Sequence, residues 1–222
     1  MQEETALLEL QCFPSIPYFA AFFSFPTILI EQQENYRKGS YRNRFQIASA
    51  NGPLFLSIPL VKGKNQQQAI TDVAICYNTS WQRKYWTAIR SAYGKSPYFE
   101  YYASDIKQLL FEKQERLFDF NKAILAYFIQ LFQLDTSIAF TTEYFKAPID
   151  GIIDLRNTIS PKILQPIDTM NYQVVEYPQV FIEKTGFLPN LSILDLLFCQ
   201  GPEAVITLTN SIERVASKNH KS

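Results

Sequence analysis

The 222-residue chain is 47% hydrophobic and balances 21 basic against 21 acidic side chains, which supplies a substantial core and excludes a nucleic-acid binder whose whole surface is basic. Its one histidine, His220, stands in the polar stretch SKNHKS and its three cysteines are far apart, so histidine-centred catalysis, a disulfide framework and a Cys-x-x-Cys metal site are all excluded. Glu3 and Glu4 replace the basic start of a targeting segment, and no uncharged apolar run reaches the roughly 20 residues of a membrane span, so a cytoplasmic protein is expected.

Residues 5–12 (TALLELQC) read as a short apolar strand. Pro14 and Pro17 then force a turn. Residues 18–25 are predicted to form a short helix ended by Pro26, and 27–31 (TILIE) a second buried strand. Strand, helix and strand in this order predict a βαβ unit in a parallel sheet, which would bring residues 11–15 and 31–35 to one rim at the carboxyl ends of its strands. The polar and aromatic stretch 31–44 reads as a long loop, a frequent place for function. Residues 45–48 and 54–61 flank Asn51-Gly52 and predict a hairpin. The lysine-bearing segment 60–68 is either a basic binding loop or a plain solvated one. Residues 71–76 (TDVAIC) read as a further strand.

Residues 81–102 hold both tryptophans and a cluster of basic side chains. Trp81, Tyr85, Ala88, Ile89 and Ala92 share one helical face. Gly94 is expected to end this helix at positive φ and to turn Tyr98 back towards Trp81. The stretch is either aromatic core with solvated charge or a cationic, aromatic-walled pocket. Two core helices follow over 104–113 and 114–134, then a strand over 137–144, a helical turn over 152–157 and a linker or mobile loop over 158–172. Tyr177-Pro178 is expected to open a helix that Gly186 closes, and Asn190 or Ser192 to cap a final helix. In that last helix Asp195 stands among apolar neighbours, and an arginine is expected to pair with it because an isolated buried charge is too costly. The fold class is α/β: a mixed, largely parallel sheet flanked by helices, a β-hairpin near 44–61 and a helix-rich C-terminal half. Residues 1–222 are expected to form a single domain with a polar, disordered tail over 213–222. The sheet is expected to receive 6–11, 27–31, 54–60 and 72–76.

Several separated motifs carry a resemblance along nearly the whole chain. They are Phe13-Pro14 with Tyr18-Phe19, Glu31 and Asn35-Tyr36 before Tyr41-Arg42-Asn43-Arg44, Asn51-Gly52 before Ser57-Ile58-Pro59-Leu60, Trp81-Gln82-Arg83-Lys84 with Tyr93-Gly94-Lys95-Ser96-Pro97-Tyr98-Phe99, and Pro189-Asn190-Leu191-Ser192 with Gly201-Pro202. In these the chain resembles the WbqC-like family, bacterial proteins often associated with surface-polysaccharide gene clusters. It departs from the commoner family pattern at Leu8, Glu9, Leu10 and Gln11, where that pattern has His-Gln-Pro-Asn.

The resemblance implies a transferase acting on an activated sugar or related amine in cell-surface polysaccharide biosynthesis. On that reading Arg42, Arg44, Lys62, Lys64 and Lys84 are candidate phosphate contacts of a phosphorylated sugar or nucleotide sugar. Tyr36 and Asn43 join them as ligand-binding candidates, and Trp81 or Tyr98 is placed to stack on a ring. With histidine gone, Glu31 or Asp195 is the candidate catalytic base. No metal site and no cofactor are expected, and no G-x-S-x-G, Walker A or dinucleotide fingerprint occurs. The alternative is a non-catalytic binding or scaffold protein of cell-envelope assembly that holds a protein partner. An enclosed pocket lined by Tyr36, Arg44 and Trp81 would favour the ligand binder, and a flat aromatic patch the scaffold.

Overall fold

The computed structural model describes residues 5–61, 68–146, 149–161 and 170–212. The predicted βαβ unit opens the chain as β1 (Thr5–Glu9), α1 (Ile16–Ser24) and β2 (Thr27–Glu31). Strands β1 and β2 pair in parallel with Glu9 opposite Glu31. Because IPYFAAFFS has no polar face, α1 is buried nearly all round, and Phe19 packs on Phe128 and Phe132. The hairpin follows as β3 (Arg44–Ser49) and β4 (Gly52–Ser57), antiparallel, with Gly52 at φ +100° in the turn.

Three long helices come next: α2 (Trp81–Tyr93), α3 (Phe99–Phe111) and α4 (Leu117–Leu131). Two short strands, β5 (Ser137–Phe140) and β6 (Ile152–Asp154), complete the sheet, and α5 (Ile182–Thr185), α6 (Ile193–Gln200) and α7 (Ala204–Asn210) follow. The sheet order is β5-β2-β1-β6, all parallel. One hydrophobic cluster runs from Ala6 to Leu208 and draws on every layer. Among the described residues no helix is long and apolar enough to cross a membrane.

Several expectations need correction. The hairpin forms its own two-stranded sheet, so 54–60 does not join the parallel one. Residues 72–76 are not a strand: a 3-10 turn at Ile70–Asp72 leads into single bridges from Ala74 to Arg116 and from Ile75 to Leu60. The segment is threaded between two loops and satisfies its backbone one bond at a time. Residues 152–154 are a strand and not a helical turn, because Gly151 at φ +79° aims the chain alongside β1, where its carbonyl accepts from the Thr5 N–H. Tyr177-Pro178 does not open a helix; only α5 is helical before Gly186, since the side chains of Tyr177 and Gln179 are held by Asp195.

Gly94 also differs from expectation, with φ −60° instead of a positive value. Glycine is required there for a different reason: a Cβ would sit 2.6 Å from the Arg90 carbonyl oxygen. Tyr98 does not fold back on Trp81. It packs against Gly201, whose missing side chain makes room for the Tyr98 ring, while Trp81 packs with Tyr77, Tyr85 and Phe120. Helix α6 is capped as expected by Ser192, which accepts from the Leu194 N–H, but it ends at Gly201 and α7 follows it. The centre of the predicted 158–172 loop and the tail over 213–222 lie outside the described residues.

Candidate functional site

Parallel pairing of β1, β2, β5 and β6 brings the residues that end each strand to one rim: Glu9, Glu31, Thr141 and Asp154. Along the chain the sheet grows from β1 to β2 to β5 and then returns to the other side of β1 with β6. The strand order therefore reverses between β1 and β6, and an open parallel sheet has its natural crevice at such a point.

Glu31 is fully buried and its oxygens are engaged: Oε1 accepts from the Thr141 hydroxyl at 2.7 Å and the Gln33 N–H at 2.8 Å, and Oε2 from Arg156 Nη1 at 2.8 Å. Arg156 also grips Asp154 through Nε at 2.9 Å and Nη2 at 2.6 Å, donates to the Phe145 carbonyl at 2.8 Å, and lies 4.9 Å from the Tyr144 ring centre. Donating to the Asp154 carboxylate raises the Arg156 pKa further, so it is a permanent cation.

A second arginine organises the other side of the crevice. Arg42, 1% exposed, forks onto Glu34 with Nε–Oε1 at 2.6 Å and Nη2–Oε2 at 2.5 Å, and its Nη2 also reaches Asn157 Oδ1 at 3.1 Å. Such two-point geometry is the strong form of an ion pair. Burial holds Glu34 above the ordinary carboxylate range against the opposing pull of Arg42. Glu9 Oε2 accepts the Asn157 N–H at 2.8 Å, and Asn157 takes φ +63°, a conformation asparagine tolerates better than most residues. Gln11 braces the floor by donating to Glu9 Oε1 at 3.5 Å and to the Ile159 carbonyl at 3.1 Å.

Two cavities with Arg37 and Asn157 in common open above these groups. The outer, of about 630 Å³, is walled by Glu34, Tyr36, Arg37, Tyr144 and Asn157. The inner, of about 230 Å³, is walled by Glu9, Arg37, Lys38, Ser40, Arg42, Asn157 and Ser160. Arg37, which borders both cavities, and Lys38, which borders the smaller one, are exposed and supply positive charge at its lip. Among the described residues, no group of three or more His, Cys, Asp or Glu side chains is arranged to hold a metal ion.

Of the residues singled out by sequence, Tyr36, Arg42 and Glu31 gather at this rim. Tyr36 donates to Asn43 Oδ1 at 2.9 Å, and Asn43 donates in turn to the Ile58 carbonyl at 3.0 Å, so Asn43 ties the loop to the hairpin and does not face the cavities. Arg44 opens β3 and lies 5.8 Å from the Phe55 ring centre. Trp81 is 2% exposed and belongs to the core, and Lys84 is solvated on α2. Tyr98 is half-buried beside Gly201. The pocket expected from Tyr36, Arg44 and Trp81 is therefore not formed by those three residues. Lys62 and Lys64 lie outside the described residues.

Asp195 is fully buried, but no arginine meets it among the described residues. Its Oδ2 accepts from the Tyr177 hydroxyl at 2.6 Å and Gln179 Nε2 at 3.1 Å. Burial raises its pKa to about 6, while Tyr177, Tyr93 and Gln179 pull the other way. It lines neither cavity. Sequence reasoning missed Glu9, Glu34, Arg37, Lys38, Tyr144 and Asn157. For Glu9 a signal was present, since a carboxylate ending an apolar strand must find a partner or a function.

The chain matches the WbqC-like protein family over residues 11–160 and 165–207, and it belongs to that family. It is 24% identical over 230 residues to a Mycobacterium tuberculosis (strain ATCC 25618 / H37Rv) protein described as uncharacterized protein Rv1507c, a similarity covering 91% of this chain and 96% of that one. No solved structure matches the chain.

Proposed function

We propose that this WbqC-like protein is a transferase acting on an activated sugar or sugar amine in cell-surface polysaccharide biosynthesis, and that the crevice between the ends of β1 and β6 is its substrate site. The observation that carries the reading is the set of buried charges Glu9, Glu34 and Arg42 at the point where the strand order reverses. Desolvating such groups costs several kcal/mol each before their pairing offsets it. Buried, paired charges at a cleft are the arrangement by which functional sites set the protonation of their groups.

Each wall suits one part of a nucleotide sugar. Arg37 and Lys38 at the lip match a diphosphate by fork geometry and point charge respectively. The exposed Tyr144 ring, backed by the Arg156 guanidinium, offers a face for a base. The N-terminus of α1, where dinucleotide-binding sheets hold a pyrophosphate, is already occupied. Gln11 Oε1 accepts from the Ser15 N–H and hydroxyl, and the Leu191 carbonyl accepts the Ile16 N–H. Phosphate recognition therefore falls to side chains at the lip.

Binding should be visible as thermal stabilisation of the full chain by millimolar nucleotide sugars. A ligand at ten times its Kd adds about 1.4 kcal/mol, or roughly 3–6 °C for a chain of this size. Arg37→Ala with Lys38→Ala should remove the shift. No stabilisation by any nucleotide sugar or sugar phosphate would sink the reading. The scaffold alternative draws on one feature, the outer strand β4 of the hairpin, where Leu54 and Phe55 are 39% and 41% exposed. A stoichiometric protein partner lost on Leu54→Ser with Phe55→Ser would favour it.

A further inference from the structure

We infer that the inner cavity reads a hydroxyl group of the ligand, with Glu9 as hydrogen-bond acceptor and Arg42 as donor, so that the sugar end of the substrate enters first and its phosphates stay at the lip. The inference rests on the crevice being the substrate site.

The hydrogen-bond inventory of the floor leads to it. Arg42 spends Nε and Nη2 on Glu34 and Asn157, but Nη1 finds no acceptor among the described residues although the side chain is 1% exposed. The nearby Glu9 Oε1 is 3.8 Å away, too far for a hydrogen bond. That oxygen receives only the long 3.5 Å contact from Gln11, whereas its partner Oε2 is held by the Asn157 N–H. A charged donor and a charged acceptor thus stand side by side in the cavity wall, each with unused capacity.

Charge decides which ligand group can use both. A phosphate or carboxylate would accept from Arg42 but set its own charge against Glu9. An ammonium would suit Glu9 but repel Arg42. A hydroxyl accepts from Nη1 and donates to Oε1, and two hydrogen bonds of about 2.8 Å meeting at one oxygen span a 3.8 Å separation without strain. Tyr18 lies behind this wall and borders neither cavity, and its buried hydroxyl has no partner among the described residues. Burial first, and the Glu9 carboxylate second, hold this phenol well above its ordinary pKa, so it keeps its proton.

Size and polarity agree with that orientation. At about 230 Å³ the inner cavity is smaller than the roughly 300–1,000 Å³ of sites that take whole drug-sized ligands, which fits one sugar ring with the rest in the outer cleft. Arg37 and Lys38 wall the same cavity on its exposed side.

The test compares matched pairs on the full chain by calorimetric titration: UDP-glucose with UDP, GDP-mannose with GDP, and dTDP-glucose with dTDP. At least one sugar-bearing member should bind tenfold or more tightly than its diphosphate. Glu9→Gln should remove that increment, because its amide presents a donor to Arg42, while changing diphosphate affinity less than twofold. Glu9→Asp, which keeps the charge but draws the acceptor oxygen back from the cavity, should shrink the increment at least threefold and decides the matter if Glu9→Gln does not fold. Diphosphates that bind as tightly as their sugars, or an increment that survives both substitutions, would overturn the inference and leave the crevice as the substrate site. Binding of no pair would remove both.

Discussion

Asp195→Asn should stabilise this protein, and only at neutral and alkaline pH. The wild-type carboxylate is fully buried on α6 with two neutral donors on one oxygen and no cation beside it. Burial lifts its pKa from the ordinary 3.8 to about 6. The folded state therefore holds this proton more tightly than the unfolded chain does. Its stabilising effect is complete below about pH 3.8 and is lost as pH rises through about 6. A shift of that size corresponds to about 3 kcal/mol at pH 8. An asparagine keeps an oxygen where Tyr177 and Gln179 donate but carries no charge. Urea denaturation should then show the variant more stable than the parent by up to about 3 kcal/mol at pH 8, with the gap shrinking below about 1 kcal/mol at pH 4. Asp195→Ala removes the acceptor and should destabilise at both pH values, by about 1–3 kcal/mol for each buried donor left unpaired. A gap between parent and asparagine variant that does not change with pH, or that widens in acid, would refute the reasoning.

Arg42→Met should cost about 3–5 kcal/mol in the same denaturation assay, because it strands Glu34 and Glu9 in a buried site; a loss below 1 kcal/mol would show that water already reaches them. Gly201→Ala should cost at least about 1–3 kcal/mol, since Gly201 has φ +55° and a Cβ would collide with the Tyr98 ring; an unchanged melting temperature would contradict that packing. Tyr144→Ala should weaken nucleotide-sugar binding by about tenfold without lowering the melting temperature, as expected for an exposed stacking face. Limited proteolysis should leave one resistant core, and release of two stable halves would overturn the expectation of a single domain.

The opening βαβ unit was legible because its signals are local: two apolar runs, a proline-marked turn and a helix with no polar face. The same logic placed residues 11–15 and 31–35 at one rim, where Gln11 and Glu31 do stand. What closes the site was not legible. Arg42 meets Asn157 and Arg156 meets Glu31 across more than a hundred residues, and β6, which brings both partners to the rim, is three residues long. Neither periodicity nor propensity reports such contacts. Trp81 differs for the opposite reason: its helical face is the core face, its basic neighbours lie on the exposed face, and the ring packs on Phe120 and lines neither cavity. Asp195 shows that a buried carboxylate does not demand a cation when hydroxyl and amide donors surround it and its pKa is free to rise.

The contrast between Asp195 and the rim narrows the chemistry of the crevice. Around Asp195 the protein keeps a buried acid with neutral donors alone. At the rim it spends two arginines, and each is consumed as a tie between chain segments: Arg156 joins β2, β6 and the stretch after β5, and Arg42 joins the 31–44 loop to the turn after β6. Glu31 and Glu34 are the anchors of those ties, and a carboxylate locked by an arginine fork is poorly placed to take up a proton. Glu9 is different. Only one of its oxygens is held at close range, by a backbone N–H, and the other stands in the cavity wall beside Arg42 Nη1, which has no acceptor among the described residues. The ties hold the walls still, so the remaining hydrogen-bonding capacity of the rim is concentrated on the pair Glu9 and Arg42. On the proposed transferase reading, Glu9, in place of Glu31 or Asp195, is then the carboxylate with an oxygen left for an acceptor hydroxyl.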